Sequence, residues 1–164
     1  MDKSEPSASL RIVGGQLLDA RRVAMSVWGP HRMEAVKSVD DVLYVNDSRA
    51  TFLDATLESL GVLDRRTVWI VGAWNADMAQ EHVQELLRER VSNVVLFGPL
   101  AEGSEESLPE HVHRTDDLRM AVFLARELAT AGEVVLFSPA CPSSNGFANY
   151  EERGAEFKRA VKDL

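Results

Sequence analysis

One polar turn concentrates groups able to hold an anion: Asn46-Asp47-Ser48-Arg49-Ala50-Thr51. It follows the apolar stretch Val42-Leu43-Tyr44-Val45 and precedes a helically periodic segment that starts near Phe52. A strand that runs through a polar turn into a helix leaves N–H groups unpaired in the first helical turn, and these attract anions. Arg49 adds a planar cationic fork suited to carboxylate or phosphate. The same residues also read as an ordinary helix start. Ser48 and Thr51 are favoured caps, and an aspartate near a helix N-terminus is common for dipole reasons alone.

Other chemistries find less support. Neither G-x-x-x-x-G-K-[ST] nor a G-x-G-x-x-G following a strand occurs, so the sequence shows neither a P-loop nor a dinucleotide fingerprint. His111 and His113 lie two apart without a nearby third ligand and read as strand-end residues, so no metal site is expected. His82 reads as a helix surface residue. Cys141 has no obvious base beside it and reads as a small buried thiol. A single cysteine also excludes an internal disulfide and fits a reducing compartment.

The elements that must position the turn follow from hydrophobic periodicity. Residues 1–29 read as a polar leader, Met1 to Ser9, and a short helix, Gln16 to Trp28, ended by Gly29-Pro30. Met33 to Val39 and Val42 to Asn46 read as a hairpin closed by Asp40-Asp41. A helix follows with Leu53, Thr56, Leu57 and Leu60 on one face and Gly61 as a left-handed C-cap. Thr67 to Val71 is a continuous apolar run, the mark of a strand buried on both faces of a parallel sheet. The next helix is expected to start with Asp77 as N-cap and Gln80 completing a capping box, with Ala79, Val83, Leu86 and Leu87 inward.

Strand Asn93 to Phe97, a short strand near His111 to Arg114, and a helix with Leu118, Ala121, Val122, Ala125 and Leu128 inward come next; Gly132 stops that helix. Glu133 to Phe137 is the last strand. Ser138 to Gly146 loops from it to a final helix striped by Tyr150, Gly154, Phe157, Val161 and Leu164. Strands alternating with helices give an α/β fold: a doubly wound, Rossmann-like, mostly parallel sheet with helices on both faces. Ligands bind such sheets beyond the carboxyl ends of the strands, where the loops Asp47 to Thr51, Gly72 to Asp77 and Ser138 to Gly146 are expected.

At 164 residues, 45% hydrophobic and 27% charged, the chain suits one domain with a real core. A net charge of -8 without a basic run argues against nucleic acid as a partner. No apolar run approaches about 18 residues and no signal peptide opens the chain, which argues against a membrane and for a cytoplasmic location.

Four stretches, in order and spacing, carry a resemblance. His31-Arg32, Asn46 to Thr51, Ser138-Pro139-Ala140-Cys141 and Phe147-Ala148-Asn149-Tyr150-Glu151-Glu152-Arg153-Gly154 resemble the C-terminal domain of a Mur ligase. Residues 30–164 are covered, and the likeness is greatest to the members that add D-glutamate in peptidoglycan synthesis, the UDP-N-acetylmuramoyl-L-alanine:D-glutamate ligases. A domain of that kind is itself Rossmann-like. The resemblance implies a three-domain enzyme whose first domain holds the UDP-sugar, whose second holds ATP and magnesium, and whose third delivers the amino acid. This chain resembles the third. By position, Arg32 and Asp47 would help hold the nucleotide, while Arg49, Thr51, Ser143 and Tyr150 would surround D-glutamate. No catalytic residue is assigned.

Three positions depart from the family pattern. Arg49 stands where the Asp-Ser-Lys-Ala-Thr turn has lysine, Ala76 stands where the loop after Thr67 to Val71 has a second lysine, and Phe52 replaces an asparagine. Without a P-loop, ATP-dependent amide formation is expected only together with the UDP-sugar and ATP-binding domains, with ATP and magnesium as cofactors there and none alone. A split-ligase partner chain carrying the P-loop is one source of those domains. The alternative is a stand-alone, non-catalytic binding or regulatory module derived from a Mur ligase, which the loss of lysine at Ala76 favours.

Overall fold

The structure, a computed structural model, describes residues 29–144 and 146–164. The expected leader and the helix Gln16 to Trp28 lie outside the described residues. Six strands form one sheet: β1 (Glu34–Val39), β2 (Val42–Asn46), β3 (Thr67–Val71), β4 (Val91–Leu96), β5 (Val112–Arg114) and β6 (Val134–Phe137). Their spatial order is β1-β2-β6-β3-β4-β5, antiparallel only between β1 and β2. The sheet is therefore the mostly parallel α/β arrangement that the alternation predicts.

Alternate residues of the apolar strands feed two separate cores. Leu43, Val45, Trp69, Val71 and Leu136 pack on the side of α1 (Leu53–Val62) and α2 (Glu81–Arg90). Tyr44, Val68, Ile70, Val135 and Phe137 pack on the side of α3 (Leu118–Leu128) and α4 (Tyr150–Lys162). Burial on both faces is why these strands lack the polar alternation of a half-solvated sheet. Asp40 and Asp41 both adopt positive φ, 52° and 62°, as a two-residue hairpin turn matched to strand twist requires.

Several local expectations are corrected. Ser48 and Thr51 do not cap α1; its N-cap is Phe52, which has no side-chain cap bond. Gly61 lies inside α1, and the helix ends on extended Leu63. Asp77 is not the cap of α2. Asn75 instead caps a short 3₁₀ turn, Ala76–Ala79, and α2 begins only at Glu81, so Ala79 faces solvent while Met78 fills the core. The four-residue 3₁₀ turn shifts the helical phase, which a pattern read at 3.6 residues per turn cannot anticipate. Strand β4 starts at Val91 rather than Asn93, directly from the end of α2.

The register places the candidate loops together. Asn46 pairs with Phe137 and Phe137 with Ile70, so β2, β6 and β3 end abreast with β6 in the middle. The chains leaving them are tied by main-chain bonds: Asp47 N–H donates to Phe137 O at 2.7 Å, Ala140 N–H to Ala50 O at 3.0 Å and Gly72 N–H to Pro139 O at 3.0 Å. Among the described residues no helix is long and apolar enough to cross a membrane.

Candidate functional site

The site is built in two layers. The lower layer is a buried polar floor. Asp47, fully buried, accepts Arg32 Nη1 at 3.0 Å and the Met33 N–H at 3.1 Å on one oxygen, and the Ser59 and Ser138 hydroxyls at 2.6 and 2.7 Å on the other. Thr56 Oγ1 lies 2.7 Å from Ser138 Oγ, and the Trp69 indole N–H donates to Ser138 O at 2.7 Å. One carboxylate thus fastens the β2 and β6 ends to α1. Burial pushes its pKa up, opposed by the bonds from Ser59 and Ser138 and by the charge of Arg32. Four donors converge on the two oxygens, the arrangement that a buried carboxylate needs.

Arg153 is the floor's second anchor. It is 2% exposed, donates from Nη2 to Ser48 O at 3.2 Å and Cys141 O at 2.7 Å, and so ties α4 to both loops. Its Nε is buried without a partner among the described residues, and burial lowers its pKa. Cys141 lies beside it with Sγ 3.9 Å from Nη1; burial raises the thiol's pKa, so the thiol rather than the thiolate is favoured.

The upper layer is the rim. Arg49 is exposed, sits with its guanidinium carbon 5.9 Å from the Tyr150 ring centroid, and has no carboxylate partner among the described residues. Thr51 and Ser143 are half-buried, and neither side-chain hydroxyl has a hydrogen-bond partner among the described residues. The structure brings Arg49 and Tyr150 into contact; it places Thr51 at the α1 entrance and Ser143 in the β6–α4 loop, with no hydrogen bond from either hydroxyl to that pair among the described residues. Beside the rim, Arg32, Arg49, Phe52, Asp54, Ala55 and Glu58 line an open hollow of about 570 Å³. Arg32 holds Asp47 and Ser59 with Nη1 and reaches the exposed Glu58 with Nη2 at 2.8 Å. Asp47 and Arg32 are therefore in contact, but only Arg32 reaches the surface. Phe52 is 59% exposed at the edge of the hollow, and Ala76 is exposed at the start of the 3₁₀ turn.

The sequence left some members of this site unnoticed. Arg153 shares a helical stripe with Phe157 and Ala160, four and seven residues on, and that placement of a cation in a core stripe was a legible signal. Thr56 and Ser59 sit three apart on the inner face of α1 in the same way. His31 has positive φ, 65°, and its ring meets Tyr150 edge-on at 5.9 Å. Nothing in the local pattern announces that contact.

Residues 31–141 match the family described as Mur ligase, glutamate ligase domain. A UDP-N-acetylmuramoylalanine--D-glutamate ligase of Salinibacter ruber is 42% identical over 139 residues, 82% of this chain and 30% of that protein. One from Geotalea daltonii is 37% identical over 160 residues, 96% of this chain and 35% of that protein. The chain spans about a third of the length of these relatives. A solved bifunctional folylpolyglutamate synthase/dihydrofolate synthase from Yersinia pestis shares the fold, with a TM-score of 0.51 over 96% of this chain and 36% of that one at 18% identity.

Proposed function

This chain belongs to the Mur ligase family, in its glutamate ligase domain, and from that premise we propose that it binds D-glutamate for a peptidoglycan-building ligase. The observation that carries the reading is Arg49, an exposed guanidinium on an aromatic ring with no acid to neutralise it among the described residues. Such a cation is suited to a carboxylate, and charge-assisted bonds are the strong ones. In this reading the chain's residues orient the amino acid and hold its charge, so the work is positioning rather than bond breaking.

The nucleotide half of the proposal falls to Arg32. Its Nη1 is fixed by Asp47 and Ser59, while Nη2 reaches the exposed Glu58, a surface bond worth about 0 to 1 kcal/mol that a phosphate oxygen can replace. Asp47 acts through Arg32, since both its oxygens face protein donors. For the same reason the turn offers no carboxylate to magnesium, and the ATP-linked chemistry, activation of the acid that receives the amine, rests with UDP-sugar and ATP domains on the same or a partner chain.

A second reading, a non-catalytic binding or regulatory module, is favoured by exposed Ala76 at the position of the family's second lysine. Calorimetric titration with D-glutamate tests the binding on which the first reading rests. The ligase reading expects weak binding that Ala76→Lys tightens roughly ten- to hundredfold, the return of one charge-assisted contact of about 1.5 to 3 kcal/mol, and that Arg49→Ala abolishes. D-Glutamate heat absent from both the parent and Ala76→Lys would refute the binding.

A further inference from the structure

We infer that His31 is a positioning residue, held as the neutral tautomer with its proton on Nε2, which locks the Tyr150 and Arg49 wall of the acid pocket in place. The inference rests on the proposed acid-binding site for its purpose, but its geometry is independent of any ligand.

The tautomer follows from the orientation of Asn46. Asn46 Oδ1 accepts the Ser48 N–H at 3.2 Å, and Asn46 Nδ2 donates to Glu34 Oε1 at 3.1 Å. An amide with both ends engaged in this way cannot flip without losing both bonds. Its Nδ2 therefore also presents an N–H to His31 Nδ1, 3.0 Å away, and Nδ1 must be the acceptor. The Ser48 hydroxyl, 3.1 Å from the same nitrogen, can then only share its one lone pair with the Asn46 N–H. A proton on Nδ1 would face an obligate donor, so the imidazolium form is incompatible with the seat.

The seat itself is cut to fit. A Cβ on Gly154 would collide with His31 Nδ1 and Ser48 Oγ, so only glycine at this point of α4 lets the ring lie between the helix and the turn. The His31 main chain is tied as well: its N–H donates to Glu34 Oε1 at 3.0 Å and its carbonyl accepts the Arg49 N–H at 2.9 Å. The ring meets Tyr150, and Tyr150 carries Arg49. Displacing the imidazole moves both ends of the rim.

The charges around the ring are Glu34 on β1, Lys158 and Glu151 on α4, and Arg49 and Asp47 in the turn. Lys158 is paired with Glu34 at 3.1 Å. Burial and Lys158 lower the His31 pKa, while Glu34 and Glu151 raise it, with a net fall. Neutral imidazole is thus the resting form near neutral pH. Below its pKa, protonation should open the rim and weaken acid binding by up to about tenfold per pH unit, as the competent fraction falls.

The test is imidazole ¹⁵N NMR of the full chain without ligand, followed through pH. The lock expects His31 as the Nε2–H tautomer with a midpoint below about 6.5, and the Ser48, Arg49 and Tyr150 amides moving with that same midpoint. His31→Asn, whose Oδ1 supplies an acceptor where Nδ1 stood, should keep the turn ordered and lose that midpoint, leaving only whatever Asp47 contributes. An Nδ1–H tautomer, or rim amides indifferent to His31 protonation, would overturn the inference even if His31→Asn failed to fold. The lock with no D-glutamate binding at any pH would support this inference and refute the acid-binding reading instead.

Discussion

Asp47 and Arg49 stand two residues apart in one turn, yet they belong to opposite regimes. Asp47 is sealed in the floor with both oxygens meeting protein donors, whereas Arg49 stands on the rim against an aromatic ring and without a carboxylate partner among the described residues. Apart from Arg153 Nε, the floor's polar groups satisfy one another and so build the site. The rim's polar groups are left for something else. A motif read as one unit in sequence therefore divides into residues that hold the fold and residues proposed to hold a ligand, and the two classes should separate in their response to substitution.

The largest effect is expected at the floor. Asp47→Ala leaves Arg32, Ser59, Ser138 and a main-chain N–H without their shared acceptor, which should destabilise the chain by about 3 to 5 kcal/mol in urea unfolding. Gly154→Ala should follow, at about 1 to 3 kcal/mol, because the added methyl collides with His31 and Ser48. Arg49→Ala, by contrast, should change stability by no more than about 0.5 kcal/mol while removing D-glutamate binding. Equal destabilisation by Asp47→Ala and Arg49→Ala would erase the distinction between floor and rim.

The helix entrance offers a gain. Phe52 is an exposed N-cap with no cap bond, so Phe52→Asn should stabilise the chain by about 0.5 to 1 kcal/mol in thermal unfolding. The smallest effect is that of pH. His31 favours its neutral form when folded, so the unfolded chain takes up the proton first as pH falls below about 6.5. That contribution is fully present above this pH and is lost as pH falls toward the lower folded value. Stability in Gly154→Ala, where the seat is already disturbed, should depend less on pH through this window.

Much of this was legible in the sequence, and the misses share a cause. The apolar runs Val42 to Val45 and Thr67 to Val71 announced a sheet buried on both faces, and the loops at their ends were placed correctly. The antiparallel hairpin was legible from Asp40-Asp41. What local pattern could not show is which polar residues meet across distance. Ser59 and Ser138, 79 positions apart in sequence, reach the same oxygen of Asp47 only because β6 inserts between β2 and β3. The caps of α1 and α2 were misassigned for a related reason: Ser48 is held by His31 and Asn46, and the 3₁₀ turn at Ala76 takes the residues assigned to the start of α2. Tertiary partners outbid the local choice.

The most direct test of the division between floor and rim is an amide NMR titration of the unmodified chain with D-glutamate, with L-glutamate as control. The account predicts saturable, weak shifts at Arg49, Thr51, Ser143 and Tyr150 with D-glutamate, smaller ones with the L-isomer, and none at Val68, Trp69 and Ile70 in the sheet. Millimolar D-glutamate that moves no rim resonance, or that moves rim and sheet alike, would contradict it.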